Sequence, residues 1–289
     1  MISLSALGVL PSLGGLVLGG WLGRRLAGRG ITADNALVGR QRLAYVVLLA
    51  AGGTAALLYF SPRIPLIPTL VALYADASVM HLARAVTAFA LGLLALLEWP
   101  GRRDPKRRRN LLAGSAILAG MAGYLVWRAA PITGLLRDPW VLDGVVMQTT
   151  SYTCAPASIA TLARMLTGDT TISERSVATL AGTTREGTNT LAEVRTMRLL
   201  GLGPLFARGL TPESLLARGT PALLHVDEPV GPTRIRHAVA LLAVDAAART
   251  VTVGNPLHGL QVKRLDELKG YWTGEAVLVT AARRAPPRL

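Results

Sequence analysis

The sequence predicts a chain in two parts. An N-terminal all-α transmembrane bundle of about four helices spans residues 1–130, and a C-terminal α+β domain with an antiparallel sheet spans residues 140–282. Three observations predict this. Hydrophobic residues make up 51% of 289 positions and mean hydropathy is +0.41, too apolar for an ordinary soluble protein. Basic charge is concentrated early: residues 1–139 hold 15 Lys and Arg against 5 Asp and Glu, whereas residues 140–289 hold 16 against 12. After Trp140 the texture changes from long apolar runs to alternating helix and strand patterns broken by turns.

Four apolar runs, residues 2–22, 43–60, 79–97 and 111–126, approach the ~20 helical residues that cross a hydrocarbon core. The first lacks the basic start of a signal peptide and is followed instead by Arg24, Arg25 and Arg29, so it reads as a retained span. Basic residues stay on the cytoplasmic side of a membrane. The loop after the first span carries Arg24, Arg25, Arg29, Arg40 and Arg42, and the loop after the third carries Arg102, Arg103, Lys106, Arg107, Arg108 and Arg109; the loop between them holds only Arg63. An outside N-terminus and four crossings then place the C-terminal domain outside the cytoplasm. Residues 64–75, with Pro65 and Pro68, are short for a span and read as interfacial or re-entrant; a crossing there would reverse the orientation. His81 and Arg84, near the start of the third span, are expected to snorkel to the interface.

The net charge of +14 and pI of 11.2 would suit a nucleic-acid binder, but most of the surplus lies in short segments between apolar runs, so no nucleic-acid partner is expected. The lipid bilayer is the expected partner instead. A single cysteine excludes an intrachain disulfide and a multi-thiolate zinc site, and no cofactor or metal is expected.

That cysteine stands in QTTSYTCAPAS, residues 148–158. Thr153 or Ser151 can cap a helix whose first turn accommodates Pro156 and whose apolar face runs through Ile159, Leu162, Ala163 and Leu166 to Gly168. Cys154 is thereby placed at a helix N-terminus, where free N–H groups and the helix dipole favour a thiolate. A buried small hydrophobe is the alternative. A thiolate nucleophile needs a base, a group that orients the base, and oxyanion donors. Of His225, His237 and His258, His237 is the best base, because it opens the apolar strand HAVALLAV. If the segment 245–249 is a tight connection, the following strand returns antiparallel and brings Asn255 beside His237, where it orients the ring; plain turn chemistry before Pro256 is the alternative. Gln148, six residues before the thiol, can offer its amide beside the Cys154 N–H as a two-donor oxyanion hole.

The ordered set of Gln148, Cys154 and its helix, the stretch GTTREGTNTL running into AEVRTMRLLGL, His237 before an apolar strand, and Asn255-Pro256 closing the next resembles the bacteriocin-processing, double-glycine-leader cysteine peptidases. The resemblance covers residues 141–280 and implies a papain-like fold. It implies Cys154 as nucleophile, His237 as general base and acid, Asn255 as the orienting residue where that family usually has Asp, and Gln148 as oxyanion donor. The chain departs from the family in having Thr153-Cys154-Ala155 rather than Asp-Cys-Gly, and it carries no G-x-x-x-x-G-K-[ST] phosphate loop. The segment TTREGTNT is either part of a substrate groove or a simple inter-helix loop.

The expected function is that of a membrane-anchored cysteine peptidase of a bacterial cytoplasmic membrane. Its expected partner is a peptide or protein substrate that is membrane-associated or exported. An acyl or peptidyl transferase using the same thioester, and a non-catalytic peptide-binding module, are the alternatives.

Overall fold

The structure is a computed structural model and describes residues 4–32, 35, 53, 68–99 and 103–280. It divides into two compact units, Met1–Ala130 and Pro131–Leu289.

The first unit contains helices α1 (Leu4–Ala27), α2 (Thr69–Glu98) and α3 (Pro105–Ala129). Two stretches within these helices, Thr69–Leu97 and Pro105–Ala129, are long and apolar enough to cross a membrane. The expected span at 43–60 lies outside the described residues apart from Gly53. Helix α1 meets α2 through Gly15, Gly19 and Gly23, spaced one per turn. A Cβ at any of them would collide with the carbonyls of Ala85, Phe89 or Leu93, and Gly92 faces the Leu16 carbonyl in the same way. Small residues at this spacing let helix backbones touch, the packing mode favoured where lipid removes the hydrophobic drive between helices. Two expectations are corrected. Residues 69–75 open α2 rather than forming a separate interfacial piece, because Pro68 sits at the cap position, where a missing N–H costs nothing. Arg84 is buried and lies 3.4 Å from His81, instead of reaching outward.

In the second unit the elements follow as β1 (Val141–Leu142), β2 (Val145–Val146), α4 (Cys154–Thr167), α5 (Glu174–Ala181), α6 (Thr190–Leu199), β3 (Pro204–Ala207), α7 (Pro212–Arg218), β4 (Ala222–Val230), β5 (Thr233–Asp245), β6 (Thr250–Asn255), β7 (Gly259–Arg264) and β8 (Trp272–Val279). β1 and β2 pair as a small hairpin; the other six form an antiparallel sheet in the order β3-β8-β4-β5-β6-β7. Period-two alternation on β4 and β5 sorts their side chains. Leu223, Ala238 and Ala240 pack under α4 and α6, while Leu224, Val226, Val239 and Leu241 face Leu215 of α7, Leu265 and Leu268. The apolar stripe of α4 lies on the first of these faces, and Gly168 ends the helix in the left-handed conformation that its missing Cβ permits.

Residues 131–139, left between the domains by the sequence, belong to this unit. Ile132 and Leu136 are buried against Ala178, and the Arg175 guanidinium donates to the carbonyls of Thr133 (3.2 Å) and Leu136 (2.7 Å).

Candidate active site

Helix α4 begins at Cys154. Thr153 occupies the cap position, but its hydroxyl donates to the Thr150 carbonyl (3.1 Å) instead of capping the helix. The N–H groups of Cys154 and Ala155 are thus free to face the thiol, and the Ala238 N–H of β5 also reaches it. Ser158, one turn further on, donates to the Ala238 carbonyl at 2.9 Å, so the start of the helix is fastened to the residue after His237. The thiol does not have the low pKa expected of a helix N-terminus. Burial pushes it up to about 11; the three N–H groups pull down against that, and the Glu193 carboxylate adds to the rise.

His237 pairs with Val226 near the start of β5 and is buried. Its Nε2 lies 3.1 Å from Asn255 Oδ1. The β5–β6 ladder, in which Ala240 pairs with Gly254, returns the chain antiparallel, so Asn255 arrives at the end of β6. The Asn255 orientation is determined by its neighbours: the Leu257 N–H donates to Oδ1 at 2.9 Å, and Nδ2 donates to Glu228 Oε2 at 2.9 Å. Oδ1 therefore accepts from His237, Nε2 carries the proton, and Nδ1 is the basic nitrogen. Burial lowers the His237 pKa, against the Asn255 hydrogen bond and the Glu228 carboxylate, which raise it; His258 nearby adds a smaller lowering. Among the described residues no hydrogen bond joins the His237 ring to the Cys154 thiol; the two meet through the Ala238 peptide.

Gln148 is clipped to the same corner, its N–H donating to the Pro256 carbonyl at 3.0 Å. Its side-chain Nε2 donates to the Thr150 carbonyl at 2.9 Å rather than standing open beside the Cys154 N–H, which leaves one amide hydrogen uncommitted. The loop between Gln148 and the helix has a second anchor that the sequence did not reveal: the fully buried Glu174 accepts the Thr149 N–H at 2.8 Å.

The remaining histidines differ in their surroundings. His225 is held at both nitrogens, by Glu193 Oε2 at 2.8 Å and Glu275 Oε2 at 3.2 Å. Burial alone would lower its pKa, but the charge and hydrogen bond of Glu193, joined by Glu275, outweigh it and push the ring up to about 10. It is an imidazolium at neutral pH and cannot serve as a base. His258 is half exposed, 3.4 Å from Glu228 Oε1. The TTREGTNT stretch forms the turn between α5 and α6, closed by Thr183 and Thr188 hydroxyls 2.8 Å apart, with Asn189 capping α6.

Two site neighbours escaped the sequence. Glu228 is buried on β4, two residues beyond the Val226–His237 pair, and accepts from Tyr271 (2.7 Å) as well as Asn255. Burial, then the Glu228 hydrogen bond and charge, hold the Tyr271 phenol well above its usual range. The available signal was a carboxylate continuing the Ala222, Leu224, Val226 alternation where an apolar side chain was due. Among the described residues, no group of three or more His, Cys, Asp or Glu side chains is arranged to hold a metal ion.

No protein-family model matches the sequence, and no curated protein matches it. Solved structures do. A double glycine motif protease from an AMS/PCAT transporter, crystallised in complex with the leader peptide, is 22% identical, covers 50% of this chain and 94% of its own, and has a TM-score of 0.40. The peptidase domain of Streptococcus ComA, a bi-functional ABC transporter involved in quorum sensing, is 20% identical over 47% of this chain and 98% of its own, at a TM-score of 0.40. The peptidase domain of Streptococcus mutans ComA is 20% identical over 46% of this chain and 96% of its own, at 0.36.

Proposed function

We propose that the second unit is a cysteine peptidase in which Cys154 is the nucleophile, His237 the general base and acid, and Asn255 the orienting residue. The observation that carries this reading is the pinned Asn255 carboxamide. With Oδ1 held by two N–H groups, His237 keeps its proton on Nε2 and turns its basic Nδ1 free, while the thiol sits against the next peptide of the same strand.

Burial keeps the resting pair neutral, so the thiol proton passes to His237 Nδ1 as the sulfur attacks the substrate carbonyl. The carbonyl π electrons move onto oxygen, where the Cys154 N–H and the uncommitted hydrogen of the Gln148 amide receive the oxyanion. Collapse breaks the C–N bond, and the His237 proton leaves with the amine. Water then attacks the thioester, giving one proton to His237; collapse of this second adduct breaks the C–S bond, the acid departs, and the His237 proton returns to sulfur. The chain as a whole is proposed to be anchored in a bacterial cytoplasmic membrane, with a membrane-associated or exported peptide or protein as substrate, since anchoring raises the local concentration of such a partner.

The test is alkylation of Cys154 by iodoacetamide at pH 7 in the detergent-purified full chain, compared with His237→Ala. Wild type should react at least about tenfold faster, the effect of one pKa unit. Equal rates would remove His237 from the mechanism and the peptidase reading with it.

A further inference from the structure

Glu228 is a buried carboxylate with no Lys or Arg ion pair among the described residues; its partners are the Asn255 amide (2.9 Å), the Tyr271 hydroxyl (2.7 Å) and the ring of His258 (3.4 Å), and the Lys263 ammonium lies over the Tyr271 ring, 4.5 Å from its centre. Burying an anion against mostly neutral donors is costly unless a cation forms nearby. The nearest group that gains positive charge during the proposed reaction is His237, one amide away, with its Nε2 3.1 Å from Asn255 Oδ1. A carboxylate accepting from Nδ2 pushes electron density through the amide toward Oδ1 and strengthens the hydrogen bond that Oδ1 accepts. We propose that Glu228 is a positioning residue that supplies, through Asn255, the negative charge needed by imidazolium at His237, so that the working unit is Cys154, His237, Asn255 and Glu228 rather than a triad. This rests on the peptidase reading above.

The charged and titratable groups that bear on His237 are Glu228 from β4, His258 from the turn after β6, Tyr271 through its bond to Glu228, Lys263 from β7 over the Tyr271 ring, and the Cys154 thiol at the Ala238 peptide. Of these, Glu228 is the sole carboxylate, so moving its charge provides the test. Glu228→Gln removes the charge and keeps a side chain of the same shape. Combining it with Asn255→Asp transfers the carboxylate one step closer to His237 and exchanges amide for acid, so the same hydrogen bonds can be remade in reverse.

The rate of Cys154 alkylation by iodoacetamide would be followed from pH 5 to 10 in the full chain, with circular dichroism to verify folding. Glu228→Gln is expected to lose about tenfold at pH 7, and the double variant to recover to within about threefold of wild type. Asn255→Asp alone, with two carboxylates face to face, is expected to fall below wild type. A folded Glu228→Gln with an unchanged profile, alongside a wild type that still depends on His237, would overturn the role of Glu228 and leave the peptidase standing. So would a folded double variant as slow as the single one. If Glu228→Gln does not fold, the double variant alone decides: recovery supports the relay, and a tenfold loss in folded protein removes it. A wild type no faster than His237→Ala would end both readings together.

Discussion

Ser158 Oγ donates 2.9 Å to the Ala238 carbonyl, and the N–H of that same residue reaches the Cys154 sulfur. One residue of β5 is therefore held at its N–H and at its carbonyl by residues one turn apart at the start of α4. Ser158→Ala removes a fully buried donor and should cost about 1–2 kcal/mol in denaturant unfolding. It should also slow alkylation of Cys154, because the thiol loses its registry with β5. A variant with reduced stability and an unaltered thiol rate would show that the grip serves folding alone.

The thiol itself makes a second prediction. With burial pushing it up to about 11, Cys154 in a His237→Ala background should react with iodoacetamide only in strongly alkaline solution, more slowly at pH 8 than a free thiol of pKa ~8.5. A titration midpoint at or below that of free cysteine would mean that the helix N-terminus prevails over burial.

His225 contributes to the pH dependence of stability. Its ring is raised to about 10 in the folded protein, so between the unfolded value near ~6.5 and 10 the folded state holds a proton that the unfolded chain has lost. Stability from the Glu193–His225–Glu275 cluster is therefore complete below pH ~6.5 and declines as pH rises through that window. Unfolding of the second unit measured from pH 6 to 10 should show this decline in wild type and a flatter profile in His225→Gln.

In the first unit, Gly19→Leu should break the α1–α2 pair, since its Cβ has no space beside the Phe89 carbonyl, at a cost of about 1–3 kcal/mol. Gly120→Ala in α3, where nothing among the described residues lies within 4 Å, should be neutral or stabilising by about 0.5–1 kcal/mol. Trypsin resistance in detergent distinguishes them; equal sensitivity of both variants would contradict the packing.

Orientation is testable through the same cysteine. The basic loops argue for an extracytoplasmic second unit, so a membrane-impermeant thiol reagent of high reactivity should label Cys154 in intact spheroplasts. Labelling only after lysis would place the unit in the cytoplasm.

Much of the site was legible in residues whose surroundings are local. The helix at Cys154 follows from Pro156, the apolar spacing and Gly168, and the encounter of His237 with Asn255 follows from a short connection between two strands. What was hidden depends on burial and on partners far away in sequence. The rank of Cys154 in its helix says nothing of how deeply the sulfur sits, so dipole was expected to beat desolvation, and it does not. Glu228 meets Tyr271 across 43 residues, a contact no periodicity reveals. Either Thr153 or Ser151 could cap the helix by sequence; Thr153 takes the cap position, but its hydroxyl goes to the Thr150 carbonyl instead. Residues 64–75 look too short to span a membrane when taken alone, whereas Thr69 to Ala75 are the start of a 30-residue helix with Pro68 at its cap.

Gly254, immediately before Asn255, stands where Val145, Thr161 and Leu242 converge, and an added Cβ would lie 3.1 to 3.4 Å from their methyl groups. Three separate elements thus hold the backbone that presents the orienting amide. An alanine there would ask each methyl to yield by a few tenths of an ångström, and a larger residue would displace Asn255 itself. Under the proposed peptidase reading, tuning of substrate preference is expected in the exposed turns, and this junction is expected to admit glycine alone.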